Sequence, residues 1–353
     1  MGGRHTTLLS GAVLLLLAAI AERASAQALP PIPALDTVEI AAGPQYDASG
    51  FHRFFFGDGY RGLWAARIRV PVVDLARFAG GVRASEEGGG FQTKSLRLMT
   101  DDGIEYVVRS VNKDPSAILP PRIRARSAVR SIVQDQVSAA FPASALAIPP
   151  MVSAIGLKRP DPHLVVLPDD ERLGEWREEY AGKLMMLEQY PSESEDNGPG
   201  FAGASVIEAS DDLFERLNET PEHSVDTTGF LAARMLDFVI NDWDRHDDQW
   251  RWIAEADGKD TVWTPVPRDR DQAFISFDGF LLSIAQLTAP RLVSFDAEPQ
   301  MKGMTHNSRY LDRRLLAGVE RERFDSVAAW VQARLTDEVI DEGLAGLPDA
   351  YQA

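Results

Sequence analysis

The spacing of apolar residues changes character along this chain. Leu8 to Ile20 is an almost unbroken apolar run. Residues 27–50 (ALPPIPALD, later AAGPQYDASG) are rich in Pro, Ala and Gly and read as a leader or loop, with order beginning near Phe54. Ile68 to Leu75 is strand-like, with Pro71 at an edge or bulge. Glu86–Leu98, which carries Gly88, Gly89 and Gly90, and Tyr106–Val111 flank Asp101-Asp102-Gly103. That predicts a hairpin with a glycine run on its first strand. Residues 122–141 predict one helix, with Ile123, Val129, Ile132, Val133 and Val137 giving helical spacing over its second half. Short apolar runs at Leu164–Leu167 and Lys183–Leu187 predict buried strands. The polar stretch 191–200 (PSESEDNGPG) is the expected boundary between two lobes.

After that boundary the period becomes helical. Thr227 or Thr228 can cap a helix whose apolar residues fall at Ala232, Met235, Leu236 and Val239. Arg251–Ala254 and Val262–Val266 flank Asp257-Gly258-Lys259, a second hairpin signal. From about Arg321 the tail reads as helices, with apolar Phe324, Val327, Trp330, Val331, Val339 and Ile340. The expected class is α+β: a β-rich first half followed by a mainly helical second half.

Composition adds three constraints. Of 353 residues, 44% are hydrophobic and 25% charged, which is ordinary for a globular chain, but the net charge is −17. That charge argues against non-specific binding to nucleic acid or anionic lipid. Arg4 and His5 before the Leu8–Ile20 run, and Ala24-Ser25-Ala26 after it, have the order of a cleavable export signal. The expected divisions are therefore a signal peptide at 1–26, a leader at 27–60, an N-terminal lobe at 61–190 and a C-terminal lobe at 191–353. The expected destination is the periplasm or the medium, with no stable membrane insertion after cleavage. Cysteine is absent, which excludes disulfides, thiol nucleophiles and Cys-type zinc sites.

The chemistry concentrates in INDWDRHDDQW, from Ile240 to Trp250. A hairpin brings its two ends together, so the acids before it, Asp244 among them, meet those after it, Asp269 and Asp271. Carboxylates so close need a cation. A calcium loop starting at Asp242 would need Gly and Glu where Asp247 and Ile253 stand, and is rejected. Only six histidines are present, too few for a histidine-rich two-metal phosphoesterase. The arginines at 122, 124, 126 and 130 read as a solvated helix face, and the tryptophans around the second hairpin as packing.

With those residues in view, the sequence resembles an exported bacterial member of the atypical protein kinase-like superfamily. It is similar to the HipA-type, phosphatidylinositol kinase-type and secreted spore-coat or casein kinase-type families. Asp244-Arg245-His246-Asp247-Asp248-Gln249 resembles their D-R-H-x-x-N catalytic loop, and Asp269–Phe274 the D-x-G-x-x-F form of the metal motif. The resemblance spans about residues 85–275. It implies a two-lobe kinase-like fold, Mg2+ or Mn2+, and ATP as co-substrate. Asp244, Arg245 and His246 would form the catalytic loop, with Asp244 taking the acceptor's proton. Asp269 would hold the metal, with Gln249 and Asp271 beside it. Gly88–Gly90 would cover the phosphates, Arg109 would pair with them, and Lys113 or Lys94 would supply an ammonium. Asp135 would be the carboxylate partner of Arg109, and Glu188 would lie near the hinge that meets adenine. The chain departs from the pattern at Gln249 for Asn, Arg109 for Lys, Asp135 for Glu and Asp271 for Gly. Those departures leave a second expectation, a non-catalytic kinase-fold protein that binds a ligand or scaffolds an envelope assembly. The acceptor, a protein or envelope component, is not named by the sequence.

Overall fold

A computed structural model describes residues 29–88, 93–119, 121–193, 200–289 and 291–352. The class is mixed α+β, with a large sheet in the N-terminal part and a largely helical C-terminal part. Seven strands make the large sheet: β1 (Ala34–Ala41), β2 (Arg67–Val73), β3 (Val82–Gly88), β4 (Ser95–Thr100), β5 (Glu105–Ser110), β6 (His163–Val166) and β7 (Leu184–Gln189). Their order is β1-β2-β6-β7-β5-β4-β3. Neighbours run antiparallel except β2 and β6, which touch in parallel at Val72 and Val166.

Period-two alternation divides β6 between two cores. Val165 and Leu167 pack on one face with Leu96, Leu98, Val108 and Leu187, while Leu164 and Val166 pack on the other with Trp64, Ile68 and Val70. In β5 the run Tyr106-Val107-Val108 is buried throughout, the mark of a central strand covered on both sides.

A second sheet belongs to the C-terminal part. It comprises β8 (Ile207–Glu208), β9 (His223–Val225), β10 (Trp250–Asp257) and β11 (Asp260–Pro267), in the order β8-β10-β11-β9. Strands β10 and β11 form the hairpin read from the sequence, in register from Trp250↔Pro267 to Asp257↔Asp260. Gly258, at φ 66, takes the left-handed conformation that its tight turn requires. Trp250, Trp252 and Trp263 point into the C-terminal core beside Phe230 and Leu236, with Val327 and Val331 of the Arg321–Arg334 helix.

Several expectations are corrected. Residues 34–41, assigned to the leader, form the edge strand β1. Its flanking prolines and polar residues hid a Val38/Ile40 alternation that needs only β2 as partner. Gly88 belongs to the preceding strand and not to β4, the first strand of the Asp101–Gly103 hairpin. Gly88 ends β3, and Gly89 and Gly90 fall outside the described residues. The helix expected over 122–141 is broken into Pro121–Arg124, Ser127–Asp135 and a tight turn at Gln136–Ala139. Arg126 is extended there (ψ 109), which breaks the helix between Arg124 and Ser127, and the arginines at 122, 124, 126 and 130 are solvent-exposed. The Thr227–Val239 helix is capped by Asp226, whose carboxylate accepts from the Gly229 N–H at 2.9 Å. It is buried nearly all round, with Val239 outside, because helices and sheet enclose it. The C-terminal residues Leu347 and Tyr351 pack back against the large sheet.

Candidate functional site

The Thr227–Val239 helix delivers the acidic stretch, and a buried ionic network fixes it. Asp237, in the last turn, accepts from Arg234 Nη1 at 2.5 Å and from Arg270, with Arg245 Nε 3.6 Å away. Asp242 lies 3.3 Å from Arg270 and 3.7 Å from Arg245. Arg234 also donates to Asp312 at 2.9 Å and to Ser308 at 2.7 Å. Three buried arginines thus face two buried aspartates, Asp237 and Asp242, and the half-buried Asp312. Charges this deep persist only when paired and hydrogen-bonded. Burial works to raise the Asp237 pKa, but the three guanidiniums outweigh it and hold the carboxyl below its usual range. Asp242 has a weaker share of them, and burial pushes it up to about 6.

The network also joins two loops. Arg245 donates to the carbonyls of Arg268 (2.7 Å) and Gln249 (3.1 Å), and the Arg268 N–H donates to Gln249 O at 3.1 Å. The Phe274 N–H reaches the Ile240 carbonyl at 2.6 Å. Asn241, Asp269 and Phe274 all adopt positive φ (53, 54 and 62) at this junction, a backbone state that non-glycine residues hold only when their surroundings dictate it. Arg245, expected in the catalytic loop, is wholly buried and points away from the opening; it positions both loops.

Between the large sheet and these loops lies a cleft of about 520 Å³. Asp244, His246, Asp248, Gln249, Asp269 and Asp271 line one side, and Arg109 and Lys113 stand among them. Asn307 donates to Asp244 Oδ1 at 2.6 Å. Gln249 Nε2 sits 3.2 Å from His246 Nε2. Lys113 pairs with Asp271, and Arg109 Nε is 3.9 Å from Asp269. Burial, then the neighbouring charge of Asp269, pushes Asp271 up to about 7 against the pull of Lys113. Burial would raise Asp269 too, but Arg109, Lys113 and Arg268 hold it well below the ordinary carboxylate range, with a hydrogen bond from Asp271.

Three expected contacts differ in the structure. Asp135 does not meet Arg109; its carboxylate binds Arg61 (2.7 and 2.8 Å) and His52 (3.0 Å). Glu188 pairs with Arg109 instead, because the β5–β7 register sets Val107 opposite Glu188 and leaves Arg109 diagonal to it on one face. The Glu188 backbone is used in that ladder rather than at a hinge. Lys94, itself exposed, pairs with half-buried Glu179 and does not line the cleft, whereas Lys113 is inside it. Gly88 lines the rim.

Sequence reasoning missed Asn307, Arg97, Tyr190, Arg251 and Arg268. Tyr190 follows β7, and Arg97, Arg268 and Arg251 place guanidinium carbons 3.2, 4.5 and 5.4 Å from its ring centre. Burial pushes the Tyr190 hydroxyl up, but Arg268, Arg251 and Arg97 outweigh it and bring it down to about 8. The native state therefore binds fewer protons than the unfolded chain between about pH 8 and the ordinary value of 10. The stabilisation is complete above pH 10 and is lost as pH falls through 8. Ultraviolet titration should show one of the seven tyrosines ionising near pH 8, absent in Tyr190→Phe. No tyrosinate signal below pH 9 would contradict this electrostatic picture.

No family model matches the chain, and no curated protein matches it. Among solved structures, the Rio2 kinase complex with ADP/Mg2+ and phosphoaspartate from Chaetomium thermophilum is similar over 71% of this chain and 71% of its own. The identity is 13% and the TM-score 0.26. A likeness that loose carries no argument; the chemistry is carried by the residues of this chain.

Proposed function

We propose that the protein is an exported, kinase-like phosphotransferase that moves a phosphoryl group from a metal-bound nucleoside triphosphate to an acceptor hydroxyl. The observation that carries this reading is the meeting of Asp244, Asp269 and Asp271 in one cleft with Arg109 and Lys113. A sheet-rich part above a helical part, with the cleft between them, suits that class of enzyme.

Asp269 and Asp271 offer the hard oxygens that Mg2+ or Mn2+ takes alongside phosphate. Among the described residues, no cluster of three or more acidic or histidine side chains could hold a metal. The remaining ligands would then be phosphate and water oxygens, with Gln249 at the edge. Bound there, the metal would neutralise charge on the phosphates. Asp244, oriented by Asn307, takes the proton of the acceptor hydroxyl. The freed oxygen bonds to the terminal phosphorus, the bond to the bridging oxygen breaks, and the nucleoside diphosphate leaves. Arg109 and Lys113 hold the phosphates, exchanging their carboxylate partners for them.

Export through residues 1–26, which lie outside the described residues, belongs to the same proposal. Among the described residues no helix is long and apolar enough to cross a membrane. The acceptor would be a protein or envelope component, not nucleic acid. A second reading, a ligand-binding pseudokinase or scaffold, is favoured by one observation: Arg109 and Lys113 are already paired with Glu188 and Asp271.

Mn2+ with ATP at about 100 times its dissociation constant should add about 2.7 kcal/mol, a thermal shift of a few degrees. Asp269→Ala should abolish the shift. An equal shift in both proteins, or none in the wild type at millimolar nucleotide, would refute the metal assignment.

A further inference from the structure

We infer that the cleft has a second wall built to bind an anion, and that the part of the ligand lying there carries phosphate or another oxyanion rather than a neutral aromatic base. The proposal rests on the phosphotransfer reading only in taking the carboxylate side as the reacting end.

The wall is Arg97, Tyr190, Arg251 and Arg268. The hairpin assembles half of it. Arg251 stands one residue after the Trp250↔Pro267 pair, and Arg268 one residue beyond Pro267. Arg97 is tied to Glu105 at 3.0 Å. For Arg251 and Arg268, by contrast, no described carboxylate lies within ion-pairing distance. Arg251 donates to the Trp250 carbonyl at 2.8 Å and to the Tyr190 hydroxyl. Arg268 Nε is buried with no hydrogen-bond partner among the described residues. Two guanidiniums without a close ion-pair partner among the described residues, beside a third, are costly, and an oxyanion between them would lower that cost. The chain around them carries a net −17, so this positive wall runs against its composition.

The same geometry disfavours a neutral base. Arg97 sits 3.2 Å from the Tyr190 ring centre and Arg268 4.5 Å. Guanidiniums therefore already occupy the tyrosine on which a base would stack. A chain of phosphates could run from the carboxylate side, through Arg109 and Lys113, to Arg251 and Arg268 without an apolar pocket.

The test is isothermal titration calorimetry with inorganic tripolyphosphate in EDTA, set against adenosine. The wild type should bind tripolyphosphate without metal, and adenosine should bind more weakly. An Arg251→Gln/Arg268→Gln double variant should bind tripolyphosphate about 10-fold or more weakly, as expected when charged hydrogen bonds are lost. Circular dichroism and thermal unfolding of the same double variant, matched to the wild type, report that it is folded. Equal tripolyphosphate affinity in both proteins, no binding by the wild type, or tighter binding of adenosine would overturn the inference. Loss of Mn2+ binding in Asp269→Ala beside arginine-independent tripolyphosphate binding would remove this inference and leave the phosphotransfer reading. Arginine-dependent binding with no Mn2+ affinity in the wild type would do the reverse.

Discussion

Asp244→Ala should lower phosphoryl transfer by about 10²–10⁴-fold, the range for removing a general base, while leaving Mn2+–ATP affinity close to wild type. The separation comes from placement. Asp244 lies on the loop before the hairpin and takes its hydrogen bond from Asn307, whereas the carboxylates proposed for the metal lie after the hairpin and pair with Arg109 and Lys113. Removing Asp244 deletes the proton acceptor and leaves the phosphate-facing cations in place. The readout is autophosphorylation, or transfer to a mixed envelope extract, with radiolabelled ATP. Transfer within threefold of wild type would eliminate Asp244 as the base. Robust wild-type transfer that disappears in Asp244→Ala would end the pseudokinase reading.

Asp237→Ala should cost about 3–5 kcal/mol of folding stability, because removing one partner from a buried ionic network leaves the others uncompensated. Arg234, Arg245 and Arg270 would remain inside with Asp242 and Asp312 alone. Against a total stability of about 5–15 kcal/mol, that loss is large. Urea denaturation reads it directly. Asp248→Ala, at an exposed position of the same loop, should change stability by no more than about 0.5 kcal/mol. A loss below 1 kcal/mol for Asp237→Ala would mean that water or rearranged side chains satisfy the arginines.

How much was legible in the sequence depended on how local the cause was. The β10–β11 hairpin was legible because its glycine turn and flanking apolar runs lie within a few residues of each other. It brings the Asp244 and Asp269 loops to one cleft, which needed no long-range information. The partner of Arg109 was not legible. Glu188 is 79 residues away, and only the adjacency of β5 and β7 in the sheet brings it near. Edge strand β1 escaped notice because an edge needs little apolar surface. The run Arg268-Asp269-Arg270-Asp271 carried a signal that went unused. Arg268, Asp269 and Asp271 line the cleft, while Arg270 turns into the buried network beside Asp237. Asp242, one of the four acids that made Ile240–Trp250 conspicuous, meets arginines there.

The hairpin has a consequence for how such a site can be varied. Its base is pinned by the Trp250↔Pro267 pair and by Arg245 reaching the Arg268 and Gln249 carbonyls, while its tip, around Gly258, is exposed. The number of residues separating Asp244 from Asp269 is thus a property of the spacer and not of the chemistry. Paired residues could be added to or removed from the tip, keeping the ladder in phase, with both acids left where they are. A pattern describing this site should fix the residues at the hairpin's base and leave the length between them free.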